Sequence, residues 1–261
     1  MSTTVPAVVD RPPSPPSWPA ALRGLFLRLL GVWALTLLAV AGLGLLLTRV
    51  LDGTWPLTAE DGVNRWFAER RTPGWTVLST VGSGFGNTST VIVVGLLLVV
   101  VLHRVLRRWR ESLLVAGCVL GQFLAFLGSS RIVGRSRPEV EQIDHSIPTS
   151  SFPSGHTSAS LALYGGLAVV VARTVRPAWL RRSLLTLLLL LPVLVGTGRL
   201  YRGMHHPSDL VGALLNSGLV VTLTTLVVLR AALPEGPAAA PVTAADPHDS
   251  PAPHEKETVA P

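Results

Sequence analysis

Charge is scarce in this chain. Only 14% of its 261 residues are Asp, Glu, Lys or Arg, against 48% hydrophobic residues and a mean hydropathy of +0.48. A soluble domain of this size needs more charge to cover its surface, so the composition points to a membrane. Cysteine is nearly absent: Cys118 stands alone in an apolar run, which excludes an intramolecular disulfide and leaves it a packing residue. No cleavable leader is expected, because the first apolar stretch is too long and a proline-rich segment precedes it. That stretch reads as an uncleaved anchor. No internal repeat is visible.

What is present is long charge-free runs. Residues 29–48, 72–102, 112–130, 147–172 and 210–229 contain no Asp, Glu, Lys or Arg, and 183–198 is a shorter leucine-packed sixth. A span needs roughly 20 apolar residues. The pattern predicts an all-α fold, a bundle of six transmembrane helices over residues 22–230. The segments 1–21 and 231–261 are rich in Pro and Ala and are expected to be disordered cytoplasmic tails. Gly82-Ser-Gly-Phe-Gly-Asn87 divides the second run, leaving 87–102 as its membrane-crossing part and a half-helix or buried turn before it. Residues 59–71 read as a short amphipathic helix on the outer surface, with Trp66 and Phe67 either anchoring at headgroups or packing on the bundle.

The formal charge of +7 could suggest nucleic acid, but its distribution excludes that partner. Arg104, Arg107, Arg108 and Arg110 follow the second span, and Arg173, Arg176, Arg181 and Arg182 follow the fourth, whereas the arginines between Arg49 and Arg71 are matched by acids. By the positive-inside rule the two basic loops are cytoplasmic, and both termini with them. Three polar motifs then fall at the outer ends of spans. They are Gly-Arg-Ser-Arg-Pro at 134–138, Pro-Ser-Gly-His at 153–156, and Arg199-Leu-Tyr-Arg-Gly-Met-His205-His-Pro-Ser-Asp209. Ionisable residues at a span mark function.

Each motif has its own chemistry. Pro-Ser-Gly-His opens a helix: Ser154 can cap it, Gly155 allows close backbone approach, and the free N–H groups favour an anion. His156 there could protonate a leaving oxygen. Pro207 starts the last helix, so Asp209 in its first turn can reach back to His205 and prepare a histidine nucleophile. Arg199 is close enough to share the same anion, and His206 should point elsewhere. Arg135 and Arg137, with Arg131 as an addition, offer bidentate bonds to phosphate oxygens.

In order and spacing these motifs resemble the three signatures of the type 2 phosphatidic acid phosphatase superfamily, whose integral-membrane members are lipid phosphate phosphatases. The family pattern is Lys-x6-Arg-Pro, Pro-Ser-Gly-His and Ser-Arg-x5-His-x3-Asp, and the resemblance covers about residues 75–230. It implies a six-helix core with the site near the outer membrane surface. His205 would be the nucleophile, Asp209 its orienting partner and His156 the general acid; Arg137, Arg199, Ser154 and the Gly155 amide would hold phosphoryl oxygens. Two positions depart from the pattern. The family lysine falls on Ser130, with Arg131 one step along, and the family serine falls on Gly198.

The expected activity is metal-independent, cofactor-free hydrolysis of a lipid phosphate or diphosphate in a plasma-membrane, multi-pass protein. The resemblance offers phosphatidic acid, phosphatidylglycerol phosphate and undecaprenyl diphosphate as substrates, and an outward-facing site tips the choice toward the last. A transferase passing the phosphoryl group to another lipid or glycan shares the first half-reaction and stays open. A metal set of His156, His205 and Asp209 is disfavoured by the surrounding arginines. A channel would place polar residues through the span centres, not at one face. Nothing in the sequence fixes an oligomeric state.

Overall fold

The computed structural model describes residues 17–144, 150–231 and 233. Most of the two expected tails lies outside these residues. The first helix begins at Trp18, four residues before the expected boundary, because Pro19 suits a first helical turn. The described residues form helices α1 (Trp18–Leu45, with a wider π turn to Val50), α2 (Glu60–Glu69), α3 (Pro73–Gly84) and α4 (Thr88–Leu106). These are followed by α5 (Trp109–Val133), α6 (Gly155–Thr174), α7 (Ala178–Tyr201) and α8 (Pro207–Arg230). Six of them, α1 and α4 to α8, are long and apolar enough to cross a membrane. The half-helix expected before Gly82–Asn87 is α3, and Asn87 caps α4 by accepting from Ser89 N–H.

Lipid-facing logic orders the side chains. Leu38, Leu97 and Val193 are exposed, while Thr36, Gln122, Asn216 and Thr224 are buried. Chains that face hydrocarbon gain little by hiding leucine, so helix contacts use small and polar residues instead. α1, α5, α6 and α8 form the centre; α4 packs on α5 and α6, and α7 packs on α6 and α3. Cys118 is buried against Gly166 of α6, a packing residue as expected. On α2 the two aromatics divide: Phe67 packs edge-on against Tyr201, while Trp66 is exposed under the Arg70 guanidinium.

Chain direction places residues 134–144 and 150–154, α2 and the starts of α6 and α8 at one end of the bundle, with the arginine-rich turns at the other. Phe152 locks this loop down. It is fully buried with Val40 and Val133, and its ring leaves no room for a Cβ on Gly44 or Gly212. Truncating a ring clamped like this leaves a cavity that backbone cannot fill. Phe152→Ala should therefore cost about 3–5 kcal/mol of stability, read as a lowered Tm in detergent.

Candidate active site

The site is organised around the carboxylate of Asp209, which is fully buried in the first turn of α8. Oδ1 accepts from Arg135 Nη1 at 2.6 Å. Oδ2 accepts from the His206 backbone N–H at 2.7 Å and from the Ser151 hydroxyl. Arg135 continues to Glu60 of α2 at 2.9 Å, and Glu60 accepts from Ser208 N–H at 2.7 Å. Two carboxylates thus sit at the positive end of α8, where the helix dipole favours them. Burial alone would lower the Arg135 pKa, but Asp209 and Glu60 outweigh it and raise it.

His205 lies just before α8 and is buried. Its Nδ1 is 2.8 Å from the Ser151 carbonyl and 3.6 Å from Asp209 Oδ2. A carbonyl only accepts, so this bond requires hydrogen on Nδ1 and makes Nε2 the nitrogen with the lone pair. The close partner of His205 is therefore Ser151, and Asp209 acts on it from one step back. Burial lowers the His205 pKa; Asp209 opposes this, and Arg199 and Arg137 add to it. The balance lowers its pKa from the ordinary 6.5 and favours the neutral imidazole. Asn64 of α2 donates to the His205 carbonyl at 3.0 Å, fixing the backbone.

A cavity of about 790 Å³ adjoins this knot. His156, His205, Arg137, Arg199 and Gly155 line its polar end. Arg137 Nη1 donates to the Met204 carbonyl at 2.6 Å. Arg199 Nη1 donates to Ser83 Oγ at 3.1 Å and to Asp144 at 2.7 Å. A Cβ on Gly155 would come within 2.9 Å of the Phe126 ring of α5, so glycine lets that ring pack on the start of α6 without shifting.

Three expected phosphate ligands stand elsewhere. Arg135 is engaged by Asp209 and Glu60 and lines a separate polar cleft, because two carboxylates hold it more firmly than an open cavity can. Ser154 is the residue before α6, but its hydroxyl is buried against Thr157 Oγ1 at 2.9 Å; its N–H donates to the Asp209 carbonyl at 3.1 Å. Arg131 is exposed on the last turn of α5, facing away from the cavity, as the helical rotation from buried Ser130 dictates. Gly198 packs against α3, where a Cβ would lie 3.3 Å from the Ser79 carbonyl. The hydroxyl that reaches Arg199 comes from Ser83 of that helix.

Sequence reading passed over Glu60, Asn64, Ser151, Asp144 and Arg202. Glu60 and Asn64 are four apart on α2 and so share one face, a signal that was present in the 59–71 segment. Among the described residues no group of three or more His, Cys, Asp or Glu side chains is arranged to hold a metal ion.

A sequence model of the PAP2 superfamily matches residues 113–232. That match takes in just under half of the chain and spans all three polar motifs. Its fold is similar to that of a transmembrane PAP2-type phosphatidylglycerolphosphate phosphatase from Bacillus subtilis, at 19% identity and a TM-score of 0.64 over 72% of this chain and 94% of that one. Aquifex aeolicus LpxE is also similar, at 19% identity and a TM-score of 0.48 over 64% and 93% of the two chains. A sequence search of curated proteins gave no match. The bundle thus shares the fold of a transmembrane PAP2-type phosphatase.

Asp209→Asn replaces a buried carboxylate by an amide where Arg135, the Ser151 hydroxyl and the His206 N–H all donate, and so breaks a buried ion pair and strands a donor. The variant should lose on the order of 3 kcal/mol of stability as well as activity, seen as a Tm drop larger than that of His205→Ala.

Proposed function

We propose that this protein hydrolyses a lipid phosphate or diphosphate through a phosphohistidine on His205, without a metal. The observation that carries the reading is the two-ended cavity. Its polar end holds both histidines and the arginines, and its other end runs between α4 and α5 past Val91, Leu96, Val99, Val119 and Phe123. From Thr88 to Val99 the α4 wall extends about 16 Å, enough for a stretch of hydrocarbon tail.

His205 Nε2 attacks phosphorus, forming the N–P bond as the P–O bond to the lipid breaks. Protonated His156 gives its proton to the leaving oxygen. Neutral His156 then takes a proton from water, whose oxygen attacks phosphorus and releases inorganic phosphate and free His205. Arg137 and Arg199 stabilise charge on the equatorial oxygens, the work a metal does elsewhere. The Nδ1–H bond to Ser151 keeps Nε2 unprotonated for the attack.

The arginine-rich turns after α4 and α6 lie at the end of the bundle away from the site. That supports an extracytoplasmic site with both termini cytoplasmic, in a plasma membrane. An anionic headgroup would enter from that side with its tail still in lipid.

The test is phosphate release in detergent with excess EDTA, over phosphatidic acid, phosphatidylglycerol phosphate, undecaprenyl diphosphate and a soluble phosphomonoester. Release should persist in EDTA and be inhibited by vanadate. His205→Ala should lose more than about a thousandfold in turnover; full activity in that variant would sink the mechanism. Release only on adding an acceptor lipid would make the protein a transferase. Because the folded pKa of His205 is depressed, the nucleophile remains neutral as pH falls through 6.5. The acid limb of kcat/KM that titrates it should therefore lie below that value.

A further inference from the structure

Arg202 follows α7 directly and lies on the wall of the same cavity, yet the mechanism above leaves it without a task. It is 7% exposed. Two hydroxyls of α3 grip its Nη1 from one side, Ser79 at 3.0 Å and Thr80 at 2.9 Å. The rest of the guanidinium meets Asp144. Nε donates to both carboxylate oxygens at 3.0 Å, and Nη2 donates to Oδ1. Asp144 Oδ2 also accepts from Arg199 Nη1 at 2.7 Å.

One small planar anion therefore bridges two buried guanidiniums at a cavity wall. Carboxylate and phosphate are recognised by the same arginine fork. The carboxylate brings only two oxygens, and Arg199 Nε is left buried with no hydrogen-bond partner among the described residues. A phosphoryl group brings three, and the third can meet that donor. Asp144 is also the least enclosed member of the cluster: its side chain is 30% exposed, against 6% for Arg199 and 8% for Arg202. It belongs to a loop whose neighbouring backbone is fastened independently, by Ile143 N–H to the Arg202 carbonyl at 3.1 Å. A change of side-chain rotamer can release the carboxylate while the loop stays in place.

We propose that Arg202 is a phosphate-binding residue alongside Arg199, and that Asp144 occupies the phosphoryl position between them until an incoming phosphate displaces it. The proposal rests on the phosphatase reading for the identity of the anion, but its test does not need turnover. If Asp144 competes with the ligand, removing its charge tightens phosphate binding. If it merely staples the loop to α7, removing it lets the arginines drift and weakens binding. The sign separates the two.

Titration calorimetry of inorganic phosphate into the full-length detergent-solubilised protein reads that sign. Asp144→Asn should raise phosphate affinity on the order of tenfold, since a competing charge is gone. Arg202→Gln should lower it by roughly ten- to hundredfold, the loss of charge-assisted bonds, and Arg202→Lys should recover part of that loss. Weaker or unchanged binding in Asp144→Asn would overturn the proposal, as would wild-type affinity in Arg202→Gln or no phosphate binding by the wild-type chain. Should Arg202→Gln not fold, the sign in Asp144→Asn decides alone. A protein that binds phosphate in the expected order yet releases none from any lipid, alone or with an acceptor, would refute the hydrolase reading and leave this one standing.

Discussion

Everything at the working end of this bundle depends on one buried carboxylate. Asp209 accepts from Arg135 of the first motif, from Ser151 beside the second, and from the backbone before α8 in the third. Three segments far apart in sequence are thereby tied at a single point. An ion this deep is tolerated only when it is fully hydrogen-bonded, and its partners supply those bonds. The same dependence makes the joint specific, because a shift of any one segment would strand a charge. Phe152 adds the apolar half of the constraint by wedging the loop between Gly44 and Gly212.

In the proposed mechanism the knot is what prepares His205 to act as a nucleophile. A neutral imidazole has two tautomers, and only one presents Nε2. Ser151 selects it through its carbonyl, and the hydroxyl of the same residue is held by Asp209. Ser151 thus transmits the position of the carboxylate to the ring. Asn64 does the same for the backbone by holding the His205 carbonyl. Neither contact touches the cavity, yet both set where the ring stands.

Much of this was legible in the sequence, and the reasons for the remainder are physical. Charge-free runs revealed six spans because hydrocarbon penalises charge wherever it falls. The spacing from His205 to Asp209 was readable because one helical turn fixes it. The division of labour between Arg135 and Arg137 was not. Two residues apart on an irregular loop, both line the polar cleft but Arg137 also reaches the histidine cavity, and only the fold shows that Glu60 claims Arg135. Helix α2 reads as a surface element: the spacing of Glu60 and Asn64 puts them on one face, but only the fold shows that this face turns inward against α8 and His205. Arg131 was offered as a phosphate cation on chain proximity alone. Helical rotation puts it outside.

The two arginine clusters carry opposite imbalances, and their placement matters more than their sum. Arg135 alone faces two carboxylates, Glu60 and Asp209, whereas Arg199 and Arg202 share one, Asp144. The first cluster is in net deficit of positive charge and lies toward Nδ1 of His205; the second is in excess and lines the cavity. In a poorly screened interior such a gradient acts over several ångströms. It favours positive charge on the ring as the N–P bond forms, and it favours negative charge on the oxygens the cavity receives. Those are the two places where charge develops when a neutral histidine attacks a phosphoryl group. An arrangement that neutralised each arginine locally would offer no such gradient to the proposed reaction.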